Sequence, residues 1–279
     1  MKRIHLLPNL LTALSLTCGL YVIFRLNMTF VGGVDEKLLI ATSGILLLAA
    51  LFDLLDGAVA RAINATSEFG GFFDSMSDAV TFGVAPSVII LKSLSFVPGT
   101  FGSFVIMAAA LIYSVSGVMR LVRYNVTSGE EVFTSKTNFI GLPIPAAASA
   151  AVSLNLMIHS TENFGLISLS EMGSLWTTAL ALIFLGYLMI SHFRFASLKN
   201  LQYRVRNFQV VFAVVIVAVL FFYGIIHHFP LVYFVLSWGY VTTSLFLSIL
   251  RWVSGRRIQK LENFEMVSIE ESEETFDDA

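Results

Sequence analysis

Apolar residues in this chain come in long blocks and do not alternate with polar ones. The first block runs without a charge from Ile4 to Phe24, and later blocks of the same kind are separated by short stretches in which the charges collect. A helix that crosses a bilayer needs about 20 mostly apolar residues. The blocks at 6–26, 38–60, 70–91, 101–122, 142–159, 174–191, 208–226 and 230–251 meet or approach that length. The pattern predicts an all-α, polytopic integral membrane protein of about eight transmembrane helices. The third block is the least apolar, because Asp74 and Asp78 sit in its first half. The fifth is short and rich in small residues (Ala146–Ala151), which suits close helix packing in lipid.

Composition agrees with the pattern. Of 279 residues, 56% are apolar and 13% charged, with mean hydropathy +0.81. A soluble globular chain carries about 25% charged residues, so a single soluble core is excluded. The block after Lys2 and Arg3 exceeds the roughly 7–15 residues of a signal-peptide core and lacks a small-x-small cleavage site, so it reads as a retained first helix. The single cysteine, Cys18, cannot close an intramolecular disulfide and behaves in its apolar run as a small hydrophobe. A net charge of −2 gives no reason to expect nucleic acid as a partner.

Charge placement orients the helices. With eight spans, both termini and the even-numbered loops share one side of the membrane. That side holds all of the 17 basic residues except Arg25, Lys37 and Lys92. By the positive-inside rule both termini are cytoplasmic, and so are the ends of the second and fourth spans and the start of the third. Residues 1–253 read as the membrane domain. Residues 254–279 read as an acidic cytoplasmic tail, disordered by composition, with Glu262, Glu265, Glu270, Glu271, Glu273, Glu274, Asp277 and Asp278 near its end.

At that cytoplasmic boundary lies an unusual set of charges. Asp53, Asp56, Gly57, Ala60 and Arg61 fall at offsets 0, 3, 4, 7 and 8, one stripe of a helix. Gly70, Asp74 and Asp78 are spaced by four and form a stripe on the next helix. The link from Ala62 to Phe69 is polar enough to turn, so two antiparallel helices can aim all four carboxylates into one volume. An aspartate at a helix centre costs about 2.5–3.5 kcal/mol on an insertion scale. Divalent cations offset both that cost and the mutual repulsion, and hard cations such as Mg²⁺ take oxygen ligands. Gly57 and Ala60 leave the acidic face without bulk, and Arg61 adds a planar fork suited to phosphate. Together these residues describe a metal-dependent diphosphate site, in which a pair of metals can clamp both oxygens of a phosphoryl displacement. Acidic pairs in membranes also occur in ion-coupled transporters, but a transporter does not need Gly57, Ala60, Arg61 and Gly70 in register. A catalytically silent structural protein does not need the complete aspartate set.

The full spacing D-x2-D-G-x2-A-R-x8-G-x3-D-x3-D resembles the signature of the CDP-alcohol phosphotransferases. The resemblance implies a helical membrane enzyme that binds a CDP-linked lipid through two divalent ions, Mg²⁺ or Mn²⁺, and releases CMP. It implies that Asp53, Asp56 and Asp74 are ligands first. It gives Asp78 the role of base toward the acceptor hydroxyl as well as that of ligand. It places Asn9 and Thr12, in Pro8-Asn9-Leu-Leu-Thr12, near the donor together with Gly57, Ala60, Arg61 and Gly70; Pro8 equally suits a first helical turn. A homodimer in the cell membrane, with its site facing the cytoplasm, is part of the same expectation.

Further stretches resemble the phosphatidylserine synthase branch of that family. They are Glu68-Phe69-Gly70-Gly71-Phe72-Phe73-Asp74-Ser75, Thr81 to Pro86, Arg120-Leu-Val-Arg123-Tyr124-Asn125, and Phe139 to Ala148. The likeness runs over roughly residues 5 to 200. It implies transfer of a phosphatidyl group from CDP-diacylglycerol to the hydroxyl of L-serine. A zwitterionic acceptor needs a cation for its carboxylate, and Arg120 or Arg123, three apart on a helix, can supply a bidentate pair, with Asn125 as a polar contact. The arginines also satisfy the positive-inside rule, and glycerol 3-phosphate, inositol phosphate or an archaeal-type lipid donor would fit the same chemistry. His227-His228 offers no third ligand and reads as interfacial. The basic loop of Arg194, Lys199, Arg204 and Arg206 suits anionic membrane lipids.

Overall fold

The computed structural model describes residues 6–31, 34–63, 67–128, 138–160, 169–191, 193–196 and 227–250. Its helices are α1 (Leu6–Asn27), α2 (Glu36–Ala62), α3 (Glu68–Asp78), α4 (Ala85–Ser93), α5 (Phe101–Ser128), α6 (Ile144–His159), α7 (Glu171–Ile190) and α8 (Phe229–Leu250). A π-helical segment, Ala79–Val84, joins α3 to α4 without a break. Among the described residues, six helices are long and apolar enough to cross a membrane: α1, α2, α3 through α4, α5, α7 and α8. The expected span at 208–226, the tail 254–279 and the basic residues Lys199, Arg204 and Arg206 lie outside the described residues.

Span five differs from the other blocks. As α6 it has 16 residues and a length of about 24 Å, short of the roughly 30 Å hydrocarbon core. Residues 150–157 are buried without interruption. A helix enclosed on every side is a core element, and its alanines (Ala147, Ala148, Ala150, Ala151) let its neighbours approach closely.

The all-α expectation needs one correction. Strand β1 (Asn138–Ile140) pairs antiparallel with β2 (Arg194–Ala196) in register Asn138↔Ala196, Phe139↔Phe195 and Ile140↔Arg194. These strands precede α6 and follow α7. Gly141 closes the ribbon at φ +78°, where its N–H donates to the Phe193 carbonyl at 2.9 Å. Apolar periodicity cannot signal strands of three residues that lie beside helix ends.

The first two helices pack along a seam of small and hydroxylated side chains. Buried positions on α1 are Pro8, Thr12, Ser15, Gly19, Val22 and Leu26, alternately four and three apart. The Ser15 hydroxyl donates to the Ala49 carbonyl of α2 at 3.1 Å. Further side-chain bonds tie the remaining helices: Ser87 to Ser114 at 2.9 Å, Ser93 to Asn155 at 3.0 Å, and Trp238 Nε1 to the Ala150 carbonyl at 3.0 Å. In lipid, such polar contacts and small-residue packing replace the hydrophobic drive that holds soluble bundles.

The π segment has a local cause. Pro86 has no N–H, and its ring conflicts with the carbonyl four residues earlier, that of Phe82. The chain widens there, and the Phe82 carbonyl accepts from the Tyr113 hydroxyl at 2.9 Å. Both side chains are buried. The widened turn begins at Ala79, immediately after Asp78.

Candidate active site

Two helix ends build the site. Near the C-terminal end of α2, Asp53 and Asp56 are three residues apart and face inward. Ser67 caps α3, its hydroxyl accepting from the Gly70 N–H at 3.0 Å, and thereby starts the helix in the phase that turns Asp74 toward α2. One carboxylate oxygen from each of Asp53, Asp56 and Asp74 lies within 4.8 Å of the others. Asp78 follows one turn later, beside this trio. Asp53 is the charge that acts most strongly on both Asp74 and Asp78. Asp53, Asp56 and Asp74 thus meet across α2 and α3, and Asp78 lies one turn further along α3.

These residues fit a divalent cation. Asp74 Oδ1 and Asp78 Oδ1 are buried and have no hydrogen-bond partner among the described residues. Buried carboxylate oxygens ordinarily have donors. Oxygen ligands gathered at this spacing, with acceptor capacity left over, suit Mg²⁺ or a similar hard ion.

Thr12 reaches the same cluster from α1. Its hydroxyl lies 2.5 Å from Asp56 Oδ2 and 3.2 Å from the Pro8 carbonyl. Ser77 returns the connection, donating to the Thr12 carbonyl at 3.3 Å. Asn9 stands one turn nearer the start of α1. A Cβ on Gly70 would lie 3.2 Å from Asn9 Oδ1 and 3.0 Å from the Ser67 hydroxyl, so α1 and α3 approach closely here. Gly57 is open enough for the exposed Arg61 to fold back over it, and a Cβ there would lie 3.3 Å from Arg61 Nη1. Ala60 is half-buried on the same stripe. Of the six expected donor positions, Thr12 bonds a carboxylate directly, Gly57 and Ala60 share the Asp53–Asp56 stripe, and Asn9 meets Gly70.

The three expected acceptor positions divide. Arg120 is half-buried, and Asp78 is the charge that acts on it most strongly. Its Nε is buried without a hydrogen-bond partner among the described residues. Arg123 turns the other way, its Nη1 donating to the Ile190 carbonyl of α7 at 2.8 Å. Asn125 Nδ2 donates to the Ser75 hydroxyl at 3.0 Å and ties the end of α5 to α3 next to Asp74.

Reading the sequence alone misses several supporting residues. Ser75 and Ser77 flank the acidic positions of α3, and Ser15 lies below Thr12, but a hydroxyl on a membrane helix does not announce its partner. Tyr240, in the last helix, lies within electrostatic reach of Arg120, although the sequence resemblance had little to say about that helix.

Comparison with known proteins follows the same outline. The family model for CDP-alcohol phosphatidyltransferase matches residues 5–167. The chain is 31% identical over 208 residues to a CDP-diacylglycerol–serine O-phosphatidyltransferase of Helicobacter pylori (strain ATCC 700392 / 26695), covering 75% of this chain and 79% of that protein. It is 31% identical over 195 residues to the enzyme of that name from Bacillus subtilis (strain 168), covering 70% and 92%. A Methanocaldococcus jannaschii protein with the same name is 32% identical over 163 residues, covering 58% and 67%. The matched region contains Asp53, Asp56, Asp74 and Asp78 together with the helices that carry them, and the chain belongs to the CDP-alcohol phosphatidyltransferase family.

Proposed function

We propose that this protein transfers the phosphatidyl group of CDP-diacylglycerol to the hydroxyl of L-serine, forming phosphatidylserine and CMP. The observation that carries the reading is the convergence of Asp53, Asp56 and Asp74 within 4.8 Å, at the family's spacing, with Asp78 one turn further along α3. The names of the relatives support serine as the acceptor.

Asp53, Asp56, Asp74 and Asp78 would hold divalent metal, two ions of Mg²⁺ or Mn²⁺. When bound, the metal supplies positive charge against the diphosphate and the departing nucleotide. Asn9, Thr12, Gly57, Ala60, Arg61 and Gly70 form the donor side. The two glycines leave the backbone approachable, and Arg61 offers its fork to phosphate oxygens. Thr12 holds Asp56 in place. The acceptor side is the cytoplasmic end of α5, with Arg120, Arg123 and Asn125. There the Arg120 guanidinium faces the serine carboxylate.

Asp78 takes the proton of the serine hydroxyl. The serine oxygen then bonds to the phosphorus that carries the diacylglycerol, the bond from that phosphorus to the bridging oxygen breaks, and CMP leaves with the bridging oxygen and both electrons. The acyl chains enter sideways from the bilayer, which fits a site at a helix end. Basic-residue placement supports a site that faces the cytoplasm. The proposal includes a location in the cell membrane, residues 1–253 as the catalytic domain and 254–279 as an acidic tail, with a homodimer suggested by the family likeness.

Release of CMP from CDP-diacylglycerol by the purified protein tests the reading. Serine, glycerol 3-phosphate and inositol phosphate are offered separately. Serine alone should support release. Release with either phosphate acceptor and not with serine overturns the acceptor assignment.

A further inference from the structure

The C-terminal part of α5 carries two arginines that face different neighbours. Arg120 is half-buried within electrostatic reach of Asp78, its Nε buried without a hydrogen-bond partner among the described residues. Arg123 lies against the end of α7, where its Nη1 donates to the Ile190 carbonyl at 2.8 Å. The final four carbonyls of a helix have no partner within it, and α7 has no basic residue of its own in its last turn. Its C-terminus is instead closed from outside. The Ser191 N–H donates to the Tyr187 carbonyl at 2.9 Å, and the Ser191 hydroxyl to that of Leu188 at 2.8 Å. The Leu142 N–H also donates to the Leu188 carbonyl, at 3.1 Å. Arg123 takes the Ile190 carbonyl and brings positive charge to the negative end of the helix dipole.

The same guanidinium borders the turn that starts α6. Gly141 has φ +78°, and a Cβ there would lie 3.1 Å from Arg123 Nη2 and collide with the Met189 carbonyl. The Gly141 turn and the end of α7 thus meet at one side chain of α5, and the β1–β2 ribbon adjoins that turn through the Gly141–Phe193 bond. Close packing of α5 on α7 runs on from that point: a Cβ on Gly186 would lie 3.2 Å from the Ser116 hydroxyl. On its other side, the end of α5 is tied to α3 by the bond from Asn125 to Ser75.

We propose that Arg123 is a positioning residue: it closes the C-terminus of α7, seats the Gly141 turn and the β1–β2 ribbon against α5, and so holds Arg120 toward the acceptor without itself binding the acceptor carboxylate. The proposal rests on the reading above that Arg120 faces that carboxylate. It assigns the two arginines separable roles. A bidentate carboxylate pair needs the planar fork, which lysine cannot supply. A cation on a helix C-terminus needs only charge and one donor, which lysine has.

The experiment uses the full-length protein in detergent micelles containing CDP-diacylglycerol. CMP release is measured against serine concentration, and amide hydrogen exchange is followed at residues 185–196. Arg123→Gln is expected to lower kcat and speed exchange at the end of α7, with KM for serine held within about threefold. Arg123→Lys should recover most of the kcat and the protection. Gly141→Ala, which disturbs the same junction without removing charge, should reproduce the Arg123→Gln phenotype. Arg120→Gln and Arg120→Lys should each raise KM for serine by about 10- to 100-fold, the loss expected of a charge-assisted hydrogen bond, with α7 still protected.

If Arg123→Gln raises KM for serine by that amount while exchange at α7 is unchanged, or if lysine restores none of the lost function, the positioning role is overturned. If the Arg120 variants leave KM for serine unchanged while the Arg123 variants behave as described, the acceptor reading of Arg120 fails, and the anchoring of α7 by Arg123 stands on the exchange data. Should Arg123→Gln not fold, the Arg123→Lys and Gly141→Ala variants carry the same test.

Discussion

Asp78 stands one turn past Asp74 and beside Arg120, so it meets both the carboxylate cluster and a cation. That position suits a group that ends the reaction holding a proton. Asp78→Asn keeps the shape and removes the basicity. The expected outcome is a fall in CMP release of about 10²–10⁴-fold, the usual worth of a general base. CDP-diacylglycerol should still raise the melting temperature of the variant. Undiminished turnover would remove Asp78 from the role of base. At this scale the aspartates were legible from spacing alone, because offsets of three and four place residues on one helix face whatever the tertiary fold. The bond from Thr12 to Asp56 was not, because it joins residues 44 positions apart. Nor was the division between Arg120 and Arg123. Helical spacing places them near each other, but only the neighbouring helices decide which one faces Asp78 and which one faces α7.

Among the elements, α1 and the π segment approach each other closely at Gly19. Gly19 is buried there, and a Cβ would lie 2.8 Å from the Thr81 Cα and 2.9 Å from its Cβ. Because backbone would have to move, Gly19→Ala is expected to cost about 1–3 kcal/mol, as overpacking does. A lower melting temperature in detergent checks this, and an unchanged one would mean that the two segments do not cross so closely. The long apolar blocks foretold α1, α2, α5, α7 and α8 well, since length and hydrophobicity are the whole signal for a spanning helix. Two features left weaker traces. The π segment follows from Pro86 acting on the Phe82 carbonyl, yet a proline in an apolar run reads equally well as a kink or a helix start. The β1–β2 ribbon depends on chain ends brought together by α6 and α7, and its residues have no pattern that separates them from a loop.

For the molecule as a whole, four carboxylates held in an apolar helical bundle make stability depend on what neutralises them. Protein treated with a chelator should unfold at a lower temperature than protein supplied with Mg²⁺ or Mn²⁺. At a metal concentration 100 times Kd the gain should be about 2.7 kcal/mol for one site. In Asp53→Asn most of that gain should disappear. A melting temperature indifferent to metal in the unaltered protein would argue against a metal site at this cluster.

The bond between Thr12 and Asp56 also bears on how the protein is made. A chain enters the membrane from its N-terminus, so α1 is already in place when α2 arrives. Asp56 then meets a waiting donor in Thr12, and the Ser15 hydroxyl meets the Ala49 carbonyl beside it. The α1–α2 hairpin therefore shelters one of its two site carboxylates during synthesis, before α3 has joined it. Losing the Thr12 hydroxyl would expose the nascent hairpin at that stage, and its effect would appear first in the yield of inserted protein.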